Sequence, residues 1–536
     1  MKRTKTNHLW WHKGIIYQVY PRSFMDTDND GIGDLQGVLR KLDYLQELGI
    51  RAVWLSPVYP SPMADFGYDI SDYKDIHPLF GTMKDFDQLL EQIHAKDMKL
   101  IMDLVPNHTS EEHPWFTESR SSRDNSKRDW YLWYDPAPGG GPPNNWLSAF
   151  GGSGWEWDES TGQYYFHSYL KEQPDLNWRN PQVQKEMHDT MRFWLDKGVD
   201  GFRVDVMWHM IKDKRLRNNP PNPAFTKGMS PYMRFLPTYS VDQPEVHDIV
   251  AGMRKVTNEY QERVLIGEIY LPVKSLVTYY GDNNEEAHLP FNFQLITLPW
   301  DAREIAAAID QYEGALPEGA WPNWVLGNHD KHRIATRVGA KQAKIAAMLL
   351  LTLRGTPTMY YGDELGMKNV FIPRKKIQDP HEKNIPGLGL GRDPERTPMQ
   401  WNAEDHAGFT NGTPWLPLGR NYQKVNVSVQ LEDEDSMLRF YKRLIKLRNT
   451  TPALNAGNFR PLEAEGNILA YIRRQGKQKW LVALNLGSRR QSLEINDIEV
   501  NGKVALGTHP DKEGAEVSNK ITLRGNEGIL VNCQDH

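Results

Sequence analysis

The chain has 536 residues, 39% of them hydrophobic and 25% charged, and a formal net charge of −5. That balance fits a globular protein with one large domain and one or two smaller ones, and its slight acidity argues against a nucleic-acid partner. The lone cysteine, Cys533, excludes an intramolecular disulfide framework.

The start is basic (Lys2, Arg3, Lys5) with no apolar stretch behind it. Neither a signal peptide nor a membrane helix is expected, and the reading is a cytoplasmic protein with no membrane partner. Residues 14–20 (GIIYQVY) form the first apolar run. Asp26, Asp28, Asp30 and Asp34 follow, at alternate positions around Gly31 and Gly33. The spacing is that of half an EF-hand loop, but position twelve is Gly37, which offers no bidentate carboxylate. A Ca²⁺ or Mg²⁺ site from these four side chains and the Ile32 carbonyl is expected. The alternative is a metal-free Asx-rich turn whose carboxylates repel one another.

From there helix and strand patterns alternate. Helical spacing covers 35–48 and 86–93, and strands are expected at 52–59 and 99–105, with Asp103 and His108 at the end of the second. Residues 109–178 are irregular and rich in Trp, Gly, Pro and Asn, too long for a bare loop, and predict an inserted subdomain. Alternation resumes with helix 181–196, strand 199–206, helix 244–260 and strand 264–270. Strands at 288–296, 323–328 and 357–361 and helices at 341–353 and 435–448 complete the set. Eight strands interleaved with helices predict a (β/α)₈ TIM barrel, whose sites lie at the strands' C-terminal ends. After 455 short alternating runs predict an antiparallel β domain. The expected division is a barrel over 1–108 and 179–454, an insertion over 109–178 and a C-terminal β-sandwich over 455–536.

The chemistry gathers on GFRVDV (201–206). Period-two geometry sends Arg203 and Asp205 to one side, which is either a solvated surface pair or a polar pocket. Three further apolar runs end in comparable chemistry: 103–108 (DLVPNH), 266–269 (IGEI) and 327–330 (GNHD). Carboxylates with His, Arg and aromatic rings but no Cys/His metal cluster point to glycoside hydrolysis, which needs one ionised and one protonated carboxyl. Arg203 is expected to lower the Asp205 pKa and keep it ionised. Apolar neighbours are expected to raise that of Glu268, and Asp330 is placed to bind sugar hydroxyls.

These four runs, in this order, resemble the conserved regions of glycoside hydrolase family 13, the α-amylase family, over nearly the whole chain. Within it the chain is similar to the α-glucosidase and oligo-1,6-glucosidase branch through IIYQVYPRSF (15–24), DNDGIGDL (28–35), FGYDISDY (66–73), QPDLNW (173–178) and RTPMQW (396–401). The resemblance implies a barrel with a B domain after strand three, a C-terminal β-sandwich, and hydrolysis with retained configuration. It implies Asp205 as nucleophile, Glu268 as acid/base and Asp330 as transition-state stabiliser, with Arg203, His108 and His329 around the reacting glucose. Asn107 would orient strand-end loops. Asp65 and Arg396 would close the far side as a salt bridge, with Tyr68 stacking on the sugar and Phe150 and Tyr169 lining the walls. The implied cation on 26–34 is structural, no organic cofactor is implied, and the partners are small α-glucosides acting on a monomer or homodimer. Val206 is the residue type of 1,6-acting members, so α-1,6 bonds with some α-1,4 activity and transfer to other sugars are expected. A rival reading is a glucosyl-transferring isomerase, such as a sucrose isomerase or trehalose synthase. A transporter subunit of the same fold is disfavoured by the intact Asp205, Glu268 and Asp330.

Overall fold

The computed structural model describes residues 8–533; the basic start read for a leader, and residues 534–536, lie outside them. Among the described residues no helix is long and apolar enough to cross a membrane. Strands β1 (Ile16–Val19), β2 (Ala52–Leu55) and β3 (Lys99–Leu104) begin the barrel, and β4 (Trp133–Tyr134), β5 (Trp155–Asp158) and β6 (Gln163–Phe166) form a separate three-stranded sheet. The barrel continues through β7 (Gly201–Val204), β8 (Val264–Gly267), β9 (Leu289–Pro290), β10 (Asn323–Val325) and β11 (Thr356–Tyr360). Its eight parallel strands run in the order β10-β11-β1-β2-β3-β7-β8-β9, and a parallel bridge between Asn292 and Trp324 spans the remaining gap. All eight expected strands are present, and the fold is the predicted TIM barrel. The strands are buried on both faces, as an all-parallel sheet covered by helices requires, which is why they read as apolar runs.

Local chemistry explains the boundaries near the site. Helix Pro181–Lys197 begins on the Asn180 side chain, which accepts the Gln182 N–H, and stops at Gly198, whose φ of +108° suits glycine. Gly201 then opens β7 because a Cβ there would lie 2.2 Å from the Val264 carbonyl oxygen on β8. Three expectations change. The 35–48 helix is two, Leu35–Arg40 and Leu42–Leu48, because the Lys41 N–H turns back to the Val38 carbonyl at 3.0 Å. The 288–296 strand shrinks to Leu289–Pro290, since Pro290 has no N–H to continue the ladder and the chain enters helix Gln294–Thr297. Helix Ala302–Ala315, capped by the Asp301 carboxylate, was not anticipated.

Within 109–178, helix Pro114–Ser121 packs beside the small sheet, whose own core is Leu132, Trp146, Trp155 and Phe166. Beyond the barrel come β12 (Asn458–Leu462), β13 (Ile468–Gln475), β14 (Gln478–Asn485), β15 (Gln491–Glu494), β16 (Gly502–Gly507), β17 (Glu516–Val517), β18 (Lys520–Leu523) and β19 (Gly528–Cys533). They form a six-stranded and a two-stranded antiparallel sheet around a shared core containing Leu481, Leu493, Ile521 and Val531. Two buried arginines gather carbonyls at this end of the barrel, and the second of them ties the C-terminal unit to it. Arg448, on helix Met437–Thr450, donates to the carbonyls of Leu351 (2.9 Å) and Gly355 (2.8 Å). Arg473, on β13, donates to those of Thr352 and Gly457.

Candidate active site

Arg203 is the centre of the site. It is fully buried at the end of β7, and its Nη1 lies 2.8 Å from Asp103 Oδ1 and 2.8 Å from Asp205 Oδ1. Its Nη2 lies 2.6 Å from Glu268 Oε2, close but not aligned as a hydrogen bond. The parallel register makes this inevitable. Arg203 is level with Asp103 on β3 and with Ile266 on β8, so residues two further along meet at one barrel mouth. Below, the guanidinium rests 5.0 Å over the Trp54 ring. Trp54 Nε1 and the Tyr68 hydroxyl each donate to Asp103 Oδ2 at 3.1 Å. Asp103 is thus the floor of the site, a role its position at a strand end does not disclose.

Three carboxyl groups share one guanidinium, and this reverses the expectation for Asp205. Burial pushes its pKa well above the usual carboxylate range, and the charges of Glu268, Asp103 and Asp330 push the same way. Arg203 pulls against them without winning. Burial likewise pushes Asp103 up to about 6, again against Arg203. The surroundings of Glu268 also differ from the apolar run expected: its Oε2 receives the Val206 N–H at 3.0 Å as well as the Arg203 contact. Asp205 and Asp103 therefore hold a proton more tightly than free carboxyls would.

His329 and Asp330 follow β10. The His329 ring lies between Tyr68 (5.3 Å, 4°) and Tyr20 (5.8 Å, 16°). The Gln18 amide donates to its Nδ1 at 2.7 Å, which assigns the proton to Nε2, 3.4 Å from Asp330 Oδ2. Burial drives the His329 pKa well down. Burial opposes ionisation of Asp330, but His329, Arg392 and Arg396 outweigh it and hold the carboxylate far below the usual range.

The expected Asp65–Arg396 pair does not form. Asp65 Oδ1 pairs with Arg392 Nη2 at 2.6 Å, and Arg392 also binds Asp379 Oδ1 at 2.7 Å. Arg396 is already committed, its Nη2 to Asp330 (2.6 Å) and its Nε to the His329 carbonyl (2.7 Å), and it is fully buried behind the cavity wall. Arg392 rests 4.7 Å over Phe150, whose ring also stacks on His381 (4.8 Å, 23°). Tyr169 meets Phe150 edge-on and also packs on His108. His108, pushed down to about 4 by burial, lies 3.1 Å from the Tyr68 carbonyl through its Nε2.

These groups line a cavity of about 500 Å³. Asp65, Tyr68, His108, Phe150, Tyr169, His381 and Arg392 form one mutually packed stretch of its wall, and Asp205, Glu268 and Asp330 line it as well. Val206, Trp208, Tyr232, Val241, Tyr270 and Lys331 are a second group on its lining. Of that second group the sequence singles out Val206 and, within the run 211–235 after β7, Tyr232; the glycine-rich run 386–391 (PGLGLG) contributes Gly389, Leu390 and Gly391 to the wall. Lys212 was missed as well. It is buried beneath the site, donates to Asn107 Oδ1 at 2.7 Å and pairs with Asp175, tying 109–178 to the loop after β7. Asn107 thus joins strand-end segments, as expected.

Of the aspartate-rich loop, Asp26, Asp28 and Asp34 bring carboxylate oxygens within 4.8 Å of one another, while Asp30 stays outside that group. Ile32 donates its N–H to Asp30 Oδ1 at 2.7 Å. Asp34 also caps helix Leu35–Arg40 through the Gly37 N–H.

Comparison with known proteins follows this geometry. Residues 18–457 match the model of the alpha amylase catalytic domain. The chain is 40% identical to an oligo-1,6-glucosidase of Parageobacillus thermoglucosidasius, over 96% of this chain and 97% of that one. Among solved structures, the α-glucosyl transfer enzyme XgtA superposes with a TM-score of 0.93 at 38% identity, covering 98% of this chain and 100% of that one. The isomaltulose synthase PalI from Klebsiella sp. LX3 gives 0.91 at 34% identity, over 98% of this chain and 100% of that one.

Proposed function

The chain belongs to the α-amylase family of glycoside hydrolases, and from that premise we propose that it is a retaining exo-α-glucosidase removing terminal glucose from short α-glucosides. One observation carries the reading: the carboxyls of Asp205 and Glu268, which share Arg203, line the same cavity as the buried Asp65–Arg392 pair stacked on Phe150, a wall that in this reading closes one end. A closed end admits a chain terminus and rejects a chain interior.

In this reading a terminal glucose sits against Tyr68, Phe150 and Tyr169, and its outer hydroxyls meet Asp65 and Arg392. Arg203 occupies Asp205 Oδ1, which leaves Oδ2 to attack the anomeric carbon. Glu268 gives its proton to the departing oxygen as the C–O bond breaks, and a glucosyl ester of Asp205 forms. Water, deprotonated by Glu268, then attacks that ester, and two inversions return the original anomer. The ionised Asp330, with His329 Nε2–H, binds hydroxyls of the distorted ring. A sugar hydroxyl in place of water gives transglucosylation. The 1,6-linkage is favoured by Val206 on the leaving-group side and by the similarity to an oligo-1,6-glucosidase. The same residues would serve an isomerase, a reading favoured by the likeness to an isomaltulose synthase. The aspartate-rich loop fits a hard cation, Ca²⁺ or Mg²⁺, on Asp26, Asp28 and Asp34. Such an ion would relieve the repulsion of the three carboxylates and hold the loop that caps helix Leu35–Arg40.

The test is a product time course on isomaltose, maltose, sucrose and trehalose, with Asp205→Asn as control. Glucose of retained anomer from isomaltose, absent in the control, is expected. Conversion of sucrose to an isomer with little free glucose would replace the hydrolase reading by the isomerase one.

A further inference from the structure

Between the two catalytic carboxylates of this reading stands a residue in an unusual backbone state. Val206 has φ +37° and ψ +48°. That left-handed conformation is disfavoured for any residue with a Cβ and most of all for a β-branched one. It is not an isolated distortion, because the chain leaves β7 here and enters the short helical turn Met207–His209.

The turn points two successive amides at one neighbour. The Met207 N–H donates to the Glu268 carbonyl at 3.2 Å, and the Val206 N–H donates to Glu268 Oε2 at 3.0 Å. Had β7 simply continued, the 206 amide would have gone to the backbone ladder of β8. Arg203 Nη2 crowds the same oxygen at 2.6 Å. Among the described residues nothing donates to Glu268 Oε1, and that atom is not shut away from the cavity. A carboxyl oxygen facing two donors is the poor place for a proton, and its partner oxygen is the good one.

We propose that Val206 is a positioning residue: its left-handed turn aims the backbone N–H at Glu268 Oε2, which fixes the carboxyl plane and assigns the transferable proton to Oε1. The inference rests on the reading of Glu268 as acid/base. The proton then leaves Oε1 for the glycosidic oxygen as the bond to the anomeric carbon breaks, and Oε2 keeps its donors throughout. The valine side chain, which lines the cavity, is a separate matter: the positioning belongs to the amide.

The decisive variant replaces that N–H by an ester oxygen, through incorporation of α-hydroxyvaline at 206 by nonsense suppression. The readouts are kcat/KM against pH on isomaltose, whose leaving oxygen needs a proton, and on 4-nitrophenyl α-glucoside, whose phenolate does not. Groups facing Glu268 are Arg203, Asp205, Asp103, Tyr169 and Tyr270. None of them is altered by the exchange. Removal of the donor should move the basic limb of kcat/KM to higher pH, with about a tenfold fall on isomaltose. The activated substrate should change by less than about twofold, since it bypasses the acid. Val206→Gly keeps the N–H and accepts positive φ freely. Whatever the loss of the side chain does to KM and to the preference between the two substrates, it should keep the parent's basic limb. Equal losses on both substrates, an unmoved basic limb, or a Val206→Gly that mimics the ester would overturn the proposal. Glu268→Gln tests the underlying reading separately, because absence of any leaving-group dependence there would sink the acid assignment itself.

Discussion

Lys212 and Asp175 make a demanding test of how the site is held. Both are almost completely buried, at 3% and 0% exposure. Among the described residues, the Asp175 carboxylate receives, besides Lys212, only the Ser168 N–H (2.8 Å) and hydroxyl (2.6 Å). Lys212→Met removes one charge and leaves the other buried, which costs about 3–5 kcal/mol. With an unfolding entropy of about 2.1 cal/mol/K per residue, a unit of barrel size loses about 1 °C per kcal/mol, so a fall of about 3–5 °C is expected by calorimetry at fixed scan rate. Adding Asp175→Asn should restore more than half of it, because the stranded charge is gone. KM should rise in the single variant, since Asp175 bridges His108 in the cavity wall. The pH sign is also fixed. Burial opposes the Asp175 charge, but Lys212 and His108 prevail and lower its pKa below the usual carboxylate value. Its contribution is therefore present at neutral pH and lost as pH falls through that lowered pKa, and the coupling should shrink in acid. A Lys212→Met protein melting within 1 °C of the parent, or a double variant no better than the single, would refute the reasoning.

Other expectations follow from the same geometry. Arg392→Lys should raise KM for isomaltose by about tenfold or more while sparing kcat, since a lysine cannot span Asp65 and Asp379 as the fork does; a larger loss in kcat than in KM would show that the pair is not a binding wall. The raised pKa of Asp205 places the acid limb of kcat/KM above the ordinary carboxylate range, because the nucleophile must lose its proton before it attacks. Asp103→Asn removes one repelling charge and should shift that limb down by about a unit, and an upward shift would contradict the shared-proton account. Chelation by EDTA should lower the melting temperature by several degrees, with recovery on adding Ca²⁺ or Mg²⁺; an unchanged midpoint would exclude a cation on Asp26, Asp28 and Asp34.

What the sequence disclosed depended on how local each signal was. Arg203, Asp205, Glu268 and Asp330 stood out because a charge inside or ending an apolar strand is anomalous within a few residues. The eight strands were visible for the same reason, being buried on both faces. The Asp65 partner was not, because the choice between Arg392 and Arg396 is made by Asp379, Asp330 and the His329 carbonyl, none of which lies beside either arginine in sequence. The link between Lys212 and Asp175 is equally non-local. Helix Ala302–Ala315 did carry a signal, with Asp301 as N-cap and Ile305, Ala308, Ile309 and Tyr312 on one face, but alanines dilute that periodicity. The Asp205 shift failed for a different reason: one arginine was counted against one carboxylate, where the barrel mouth sets it against three.

The seam between the barrel and the C-terminal sheets has a consequence for biosynthesis. Helix Ala340–Thr352 ends with carbonyls that nothing in the barrel strands satisfies, and their donors are Arg448 and Arg473. A nascent chain that has emerged only as far as β11 has every barrel strand but neither arginine, so its last large helix ends on bare acceptors. The barrel is therefore completed late, by a segment translated after it. Chains truncated near residue 430, which lack both arginines, should be protease-sensitive across 340–352, and chains extended past β13 should become resistant there.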